Sequence, residues 1–104
     1  MVKSELGLIF GALTDPTRLA MIDDLGRFGS RTAGELAAPH AISLPAISKH
    51  LAVLERAGIA TRQRRGRHQV FTLNPVPLRT AGEWLERFWQ QRLDSLANYL
   101  EESS

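Results

Sequence analysis

The chain contains no cysteine, which removes disulfides, thiolate nucleophiles and thiolate metal sites together. The same absence fits a reducing compartment. Long apolar runs are also missing. Leu6 to Leu13, the longest near the start, has eight residues including two glycines, well short of the roughly 20 that cross a bilayer. It follows only Lys3 and leads into Thr14-Asp15-Pro16 rather than a small-residue cleavage site. Neither a signal peptide nor a membrane anchor is expected, and a cytoplasmic protein is the default. There is no Ser/His/Asp constellation, no His-Glu-x-x-His motif and no glycine-rich phosphate loop, so no enzyme is expected. Asp23 and Asp24 are adjacent on a helical pattern, point about 100° apart and fit solvated surface. The three histidines, His40, His50 and His68, share no helical face with a second ligand, so no metal or cofactor is expected. Internal repeats and low-complexity tracts are absent.

What is present suits one globular domain spanning 1–104, with 43% hydrophobic and 23% charged residues. The net charge of +2 conceals an uneven distribution. Residues 36–82 carry seven basic side chains and one acidic one, net +6, between flanks of net −1 and −3. Four arginines fall within residues 62–67, with no acid among them. Such a local concentration points to a polyanionic partner.

The order of elements can be read from caps and periodicity. A short apolar helix is expected within 1–13. Asp15 as N-cap and Pro16 at the first helical position open a second, bracketed at its end by Gly26 and Gly29. Thr32 and Glu35 have capping-box spacing ahead of a two-turn helix closed by Pro39. Ser43 opens a further helix that runs to Ala57 and stops at Gly58. Two helices joined so tightly, over 32–57, form a helix-turn-helix. Two short strands about Arg65-Gly66-Arg67, over 59–73, form a β-hairpin wing. A long amphipathic helix over 77–101 completes a mainly α fold with one small hairpin, a winged helix-turn-helix.

In the second helix of the pair, Leu44, Ile47, Leu51 and Leu54 form the stripe expected to face the core. Pro45, Lys49, Ala52 and Arg56 lie opposite, flanked by Ala46 and Ser48, and His50 sits at the edge of the core stripe, where either half-buried packing or a phosphate or base contact is expected. That outward face is small, polar or basic, which suits close approach to a groove of double-stranded DNA. In the last helix, Leu85, Phe88, Trp89, Leu93, Leu96, Tyr99 and Leu100 share one stripe. It exceeds what a small monomer can cover, and with Leu6 and Phe10 of the first helix it is the expected interface of a symmetric homodimer.

Asp15-Pro16-Thr17-Arg18-Leu19, Ser43 to Leu51, Leu54-Glu55-Arg56-Ala57-Gly58-Ile59, and Arg65-Gly66-Arg67 before a strand ending in Leu73-Asn74 together resemble the ArsR-type bacterial transcriptional repressors. The resemblance covers nearly the whole chain in order and spacing. It implies a homodimer that binds pseudo-palindromic operator DNA and represses by occluding it. By position it assigns DNA contacts to Ser43, Pro45, Ala46, Ser48, Lys49 and His50 of the helix and to Arg64, Arg65 and Arg67 of the wing. The basic patch adds Arg56 and Arg62. Many members of that family sense metals through cysteines in the short helix, or through Asp/His pairs on the last. This chain has alanines in the first place and no histidine in the second, so it resembles the cysteine-free branch. An unidentified small-molecule inducer is the remaining candidate partner; Phe10, Trp84, Leu85, Phe88 and Trp89 are expected first to pack the dimer, with an apolar pocket for such a molecule between subunits as the alternative. The competing expectation is a winged helix that serves protein interaction without DNA. An arginine-rich, nearly acid-free patch argues against it.

Overall fold

The computed structural model describes residues 4–103, so the first three residues of the expected N-terminal segment lie outside it. The order is α1 (Glu5–Ala12), α2 (Pro16–Phe28), β1 (Ser30–Thr32), α3 (Ala33–Ala37), α4 (Leu44–Arg56), β2 (Ala60–Arg65), β3 (His68–Leu73) and α5 (Pro75–Ser103), with one 3-10 turn at Ala38–His40. Local chemistry places the helix starts. Ser4 Oγ accepts from Gly7 N–H, Asp15 Oδ2 from Arg18 N–H and Ser43 Oγ from Ala46 N–H, each satisfying an otherwise unpaired first-turn donor. Thr32 and Glu35 close a reciprocal capping box at α3. Gly29 ends α2 with φ +84°, a conformation that costs glycine little.

The core is a single cluster. Ile9 of α1, Met21 and Leu25 of α2, Leu36 of α3, Ile47, Leu51 and Leu54 of α4, and Ile59 are all buried, and Phe71 of β3 closes the sheet side. Each such side chain contributes about 1.5–3 kcal/mol by leaving water. The sheet has the order β1-β3-β2 and is antiparallel throughout, with Arg31 and Arg62 both opposite Phe71.

The structure departs from the sequence-based expectations at three places. Ser30–Thr32, expected only as the lead into α3, is a third strand paired with Val70 to Thr72. Leu44, expected in the core stripe, is 56% exposed, because the first turn of α4 stands beyond the end of the core and Ile47, Leu51 and Leu54 complete the seam without it. Finally, α5 begins at Pro75 rather than Pro77. Asn74 Oδ1 accepts from Val76 N–H, and prolines are tolerated in a first turn where the N–H has no helical partner.

Only Pro77 and Ala81 of α5 are buried. Its first turns rest on the body through Leu78 and through Trp84 against Phe10 of α1, and the remainder of this 29-residue helix projects beyond. The Cα radius of gyration is 18.0 Å and the extents are 67 × 29 × 24 Å, against about 13 Å for the radius of a compact 100-residue domain. No helix among the described residues is long and apolar enough to cross a membrane.

Candidate nucleic-acid interface

The first turns of α4 and the wing are where the expected site residues gather. Ser43 is exposed and its Oγ is engaged as the N-cap, 3.2 Å from Ala46 N, which leaves its hydroxyl hydrogen free to donate. Pro45, Ser48 and Lys49 are exposed and Ala46 is half-buried. There is no acidic residue in the first turn, so the positive end of the helix dipole is uncompensated and favours an anion. Leu44 joins this surface, a place its spacing alone did not suggest.

In the wing, every residue from Thr61 to Gln69 is exposed. Gly66 makes the turn with φ +60°, and Arg64 Nε donates to its carbonyl at 3.2 Å, so Arg64 also braces the tip. Among the described residues, Lys49, Arg65 and Arg67 have no hydrogen-bond or ion-pair partner.

Two expected DNA contacts are placed differently. Arg62 Nη2 donates to Glu55 Oε1 at 2.8 Å, its Nη1 donates to Gln69 Oε1 at 3.3 Å, and its guanidinium lies 5.1 Å from the Phe71 ring centre. It ties the wing to α4 and is largely engaged within the molecule. Glu55 is the one acid of the central segment, so this pair leaves the remaining cations there without a compensating charge. Arg56 lies in the last turn of α4 and lines a groove of about 220 Å³ with Gly7, Leu8, Gly11, Ala12 and Val53. It faces α1, about 18 Å along the helix from Leu44. Recognition helices read bases with their N-terminal residues, which leaves Arg56 at the far end.

His50 is half-buried, and its surroundings join three helices. Its Nδ1 lies 3.2 Å from Arg18 Nη1 and 3.8 Å from Asp15 Oδ2. The same guanidinium donates from Nε to Ala12 O at 2.7 Å and from Nη2 to Gly11 O at 3.3 Å, at the C-terminal end of α1. The Asp15 carboxyl is held below the usual carboxylate range, chiefly by the Arg18 backbone N–H that it caps. Periodicity alone could not find Arg18 as a partner of His50, because the two are 32 residues apart.

With this geometry in place, the comparisons with known proteins agree. A family model described as a helix-turn-helix domain matches residues 13–63. The chain is 36% identical over 80 residues to the transcriptional repressor SdpR of Bacillus subtilis, covering 77% of this chain and 88% of that protein. It is 36% identical over 90 residues to the HTH-type transcriptional regulator Rv2034 of Mycobacterium tuberculosis, covering 86% and 83% respectively. A solved ArsR family transcriptional regulator superposes with a TM-score of 0.76 at 35% identity, covering 91% of this chain and 97% of that one. The chain belongs to the ArsR family of winged helix-turn-helix transcriptional regulators.

This ArsR-family protein is therefore a DNA-binding regulator and not an enzyme. Among its described residues no group of three or more His, Cys, Asp or Glu could hold a metal ion. The expected dimer surface is bare over most of its length. Trp89, Leu93, Leu96, Tyr99 and Leu100 are each more than half exposed, whereas Leu6, Phe10 and Phe88 are partly covered. Phe10, Trp84, Phe88 and Trp89 form one aromatic chain with successive ring centres 5.7, 5.4 and 5.7 Å apart. Leu85 stands exposed beside it. Trp84, Arg87, Phe88 and Gln91 line a cleft of about 370 Å³ on that side.

Proposed function

We propose that this regulator works as a homodimeric repressor that occludes a pseudo-palindromic operator. The observation that carries the reading is the cationic surface shared by the first turns of α4 and the wing, where Lys49, Arg65 and Arg67 are free and Glu55, the one acid of the central segment, is neutralised by Arg62. Such a surface attracts phosphates and, through α4, enters a major groove. The bare apolar stripe of α5 supports the dimer, since an exposed patch of that extent marks an interface. The repressor named among its relatives supports repression rather than activation. A small-molecule inducer would take the cleft beside Trp84 and Phe88.

Footprinting on the DNA upstream of its coding region tests the reading, combined with sedimentation of the free protein. The expected result is a dimer protecting two half-sites roughly 34–36 Å apart. A monomer, or no protection at low salt, would refute it.

A further inference from the structure

We propose that Arg18 is a positioning residue for DNA binding. Its guanidinium holds the His50 imidazole as the Nε2–H tautomer, so that α4 presents a hydrogen-bond donor to a DNA phosphate. This rests on the DNA-binding reading above and extends it to a residue outside α4 and the wing.

The chemistry at Nδ1 decides the tautomer. A guanidinium has donors only and stays charged in proteins, so a 3.2 Å contact from Arg18 Nη1 requires a lone pair on His50 Nδ1. The competing neighbour is Asp15, which would draw a proton onto Nδ1. Its Oδ2 stands 3.8 Å away, beyond hydrogen-bond reach, and already accepts from Arg18 N–H at 3.1 Å. Nor is the guanidinium free to turn aside, because its other nitrogens are bonded to Ala12 O and Gly11 O at the end of α1. With the lone pair at Nδ1, the proton of this ring sits on Nε2.

The far nitrogen has no protein partner and is not fully buried, since among the described residues the one buried side-chain polar atom without a partner is His40 Nε2. It lies on the flank of α4 next to Lys49 and one turn beyond Ala46. Phosphate oxygens are acceptors only. An N–H there binds them, whereas the lone pair of the other tautomer would repel them. Arg18 thereby ties the end of α1 and the start of α2 to the part of α4 that meets DNA.

The test combines ring 15N spectroscopy of the free, labelled wild type with operator binding by two near-isosteric variants. His50→Asn keeps an acceptor where Nδ1 lies and removes the outer N–H. His50→Gln places an amide N–H where Nε2 lies and leaves Arg18 without that acceptor. We expect the Nε2–H tautomer in the wild type. His50→Asn should keep the wild-type melting temperature and lose about tenfold or more in operator affinity. His50→Gln should melt lower and keep most of its affinity. Arg18→Lys, folded by circular dichroism, should shift the His50 signals toward Nδ1–H, as Asp15 then competes. An Nδ1–H signal in the wild type, or His50→Asn binding as tightly as wild type, overturns the proposal alone. Wild-type protein that binds no DNA overturns the DNA-binding reading, and the proposal with it.

Discussion

Arg62 reaches back from the wing to Glu55 on α4, with Nη2 2.8 Å from Oε1. The pair neutralises the single acid of the basic segment and fixes the hairpin's angle to the helix that it accompanies. Both side chains are partly exposed, so the bond itself is worth about 0–1 kcal/mol, and its effect lies in geometry and charge rather than stability.

That placement changes the expected salt dependence. Counting Arg64, Arg65 and Arg67 as phosphate contacts in each subunit, a dimer should show log K falling against log salt with slope about −5. Were Arg62 also free to reach phosphate, the slope would be about −7. Titrations at several salt concentrations separate the two. Arg62→Ala should leave the slope unchanged, and Arg65→Ala should reduce its magnitude by about 2, one contact per subunit.

Lys49 and Arg65 should fail in different ways. Lys49 is exposed in the first half of α4, so Lys49→Ala is expected to cost about 1–3 kcal/mol on the operator and to change base preference. Arg65→Ala should weaken binding to all sequences alike. Competition against a panel of single-base operator variants measures both, and a Lys49→Ala protein with unaltered preference would count against α4 as the reading helix.

The turn inside the helix-turn-helix stores strain. Ala41 has φ +51°, the one non-glycine residue with positive φ among the described residues. The left-handed conformation costs an L-residue roughly 1–2 kcal/mol, part of which glycine's extra freedom in the unfolded chain offsets. Ala41→Gly should stabilise the fold by about 0.5–1 kcal/mol in urea denaturation and leave operator affinity unchanged.

The exposed stripe of α5 gives a clean separation of assembly from folding. Leu93 and Leu96 are 56% and 53% exposed, so the double variant Leu93→Glu, Leu96→Glu should retain its helical circular dichroism. It should sediment as a monomer and lose operator affinity. A variant that remains dimeric would move the interface elsewhere.

Acid stability follows from two helix caps. The carboxyls of Asp15 and Glu35 are held below their ordinary values of 3.8 and 4.5, chiefly by the backbone N–H of Arg18 and of Thr32 respectively. Folded values below the unfolded ones mean that both groups contribute stability above those ordinary values. The contribution is lost as the pH falls through the depressed folded values. Thermal melts should therefore be nearly flat from pH 7 to about 5 with respect to these groups and decline below. Asp15→Asn with Glu35→Gln keeps the capping geometry without the charges and should flatten that decline.

Much of the fold was legible because its signals are local. The Asp15-Pro16 start, the Thr32/Glu35 capping box, the Ser43 cap and the Gly66 turn each act within three or four residues, and all stand where their spacing put them. The short strand at Ser30–Thr32 was not legible, since three residues become a strand only when Val70 to Thr72 lie alongside. Nor was the exposure of Leu44. A helical stripe gives direction and does not say where the neighbouring helices end.

The same division holds for function. The order of elements, the central band of positive charge, the absence of thiolates and the apolar stripe of α5 were all set by residue type and period along the chain. The tertiary structure decided which of those charges are free. Arg62 and Arg65 are three residues apart in one arginine-rich strand, yet one is bound to Glu55 and the other has no partner. Likewise His50 became the neighbour of Arg18, 32 residues away, only when α2 packed on α4. Composition and periodicity act along the chain, whereas the pairing of a cation or the tautomer of an imidazole depends on groups brought within about 3 Å by packing.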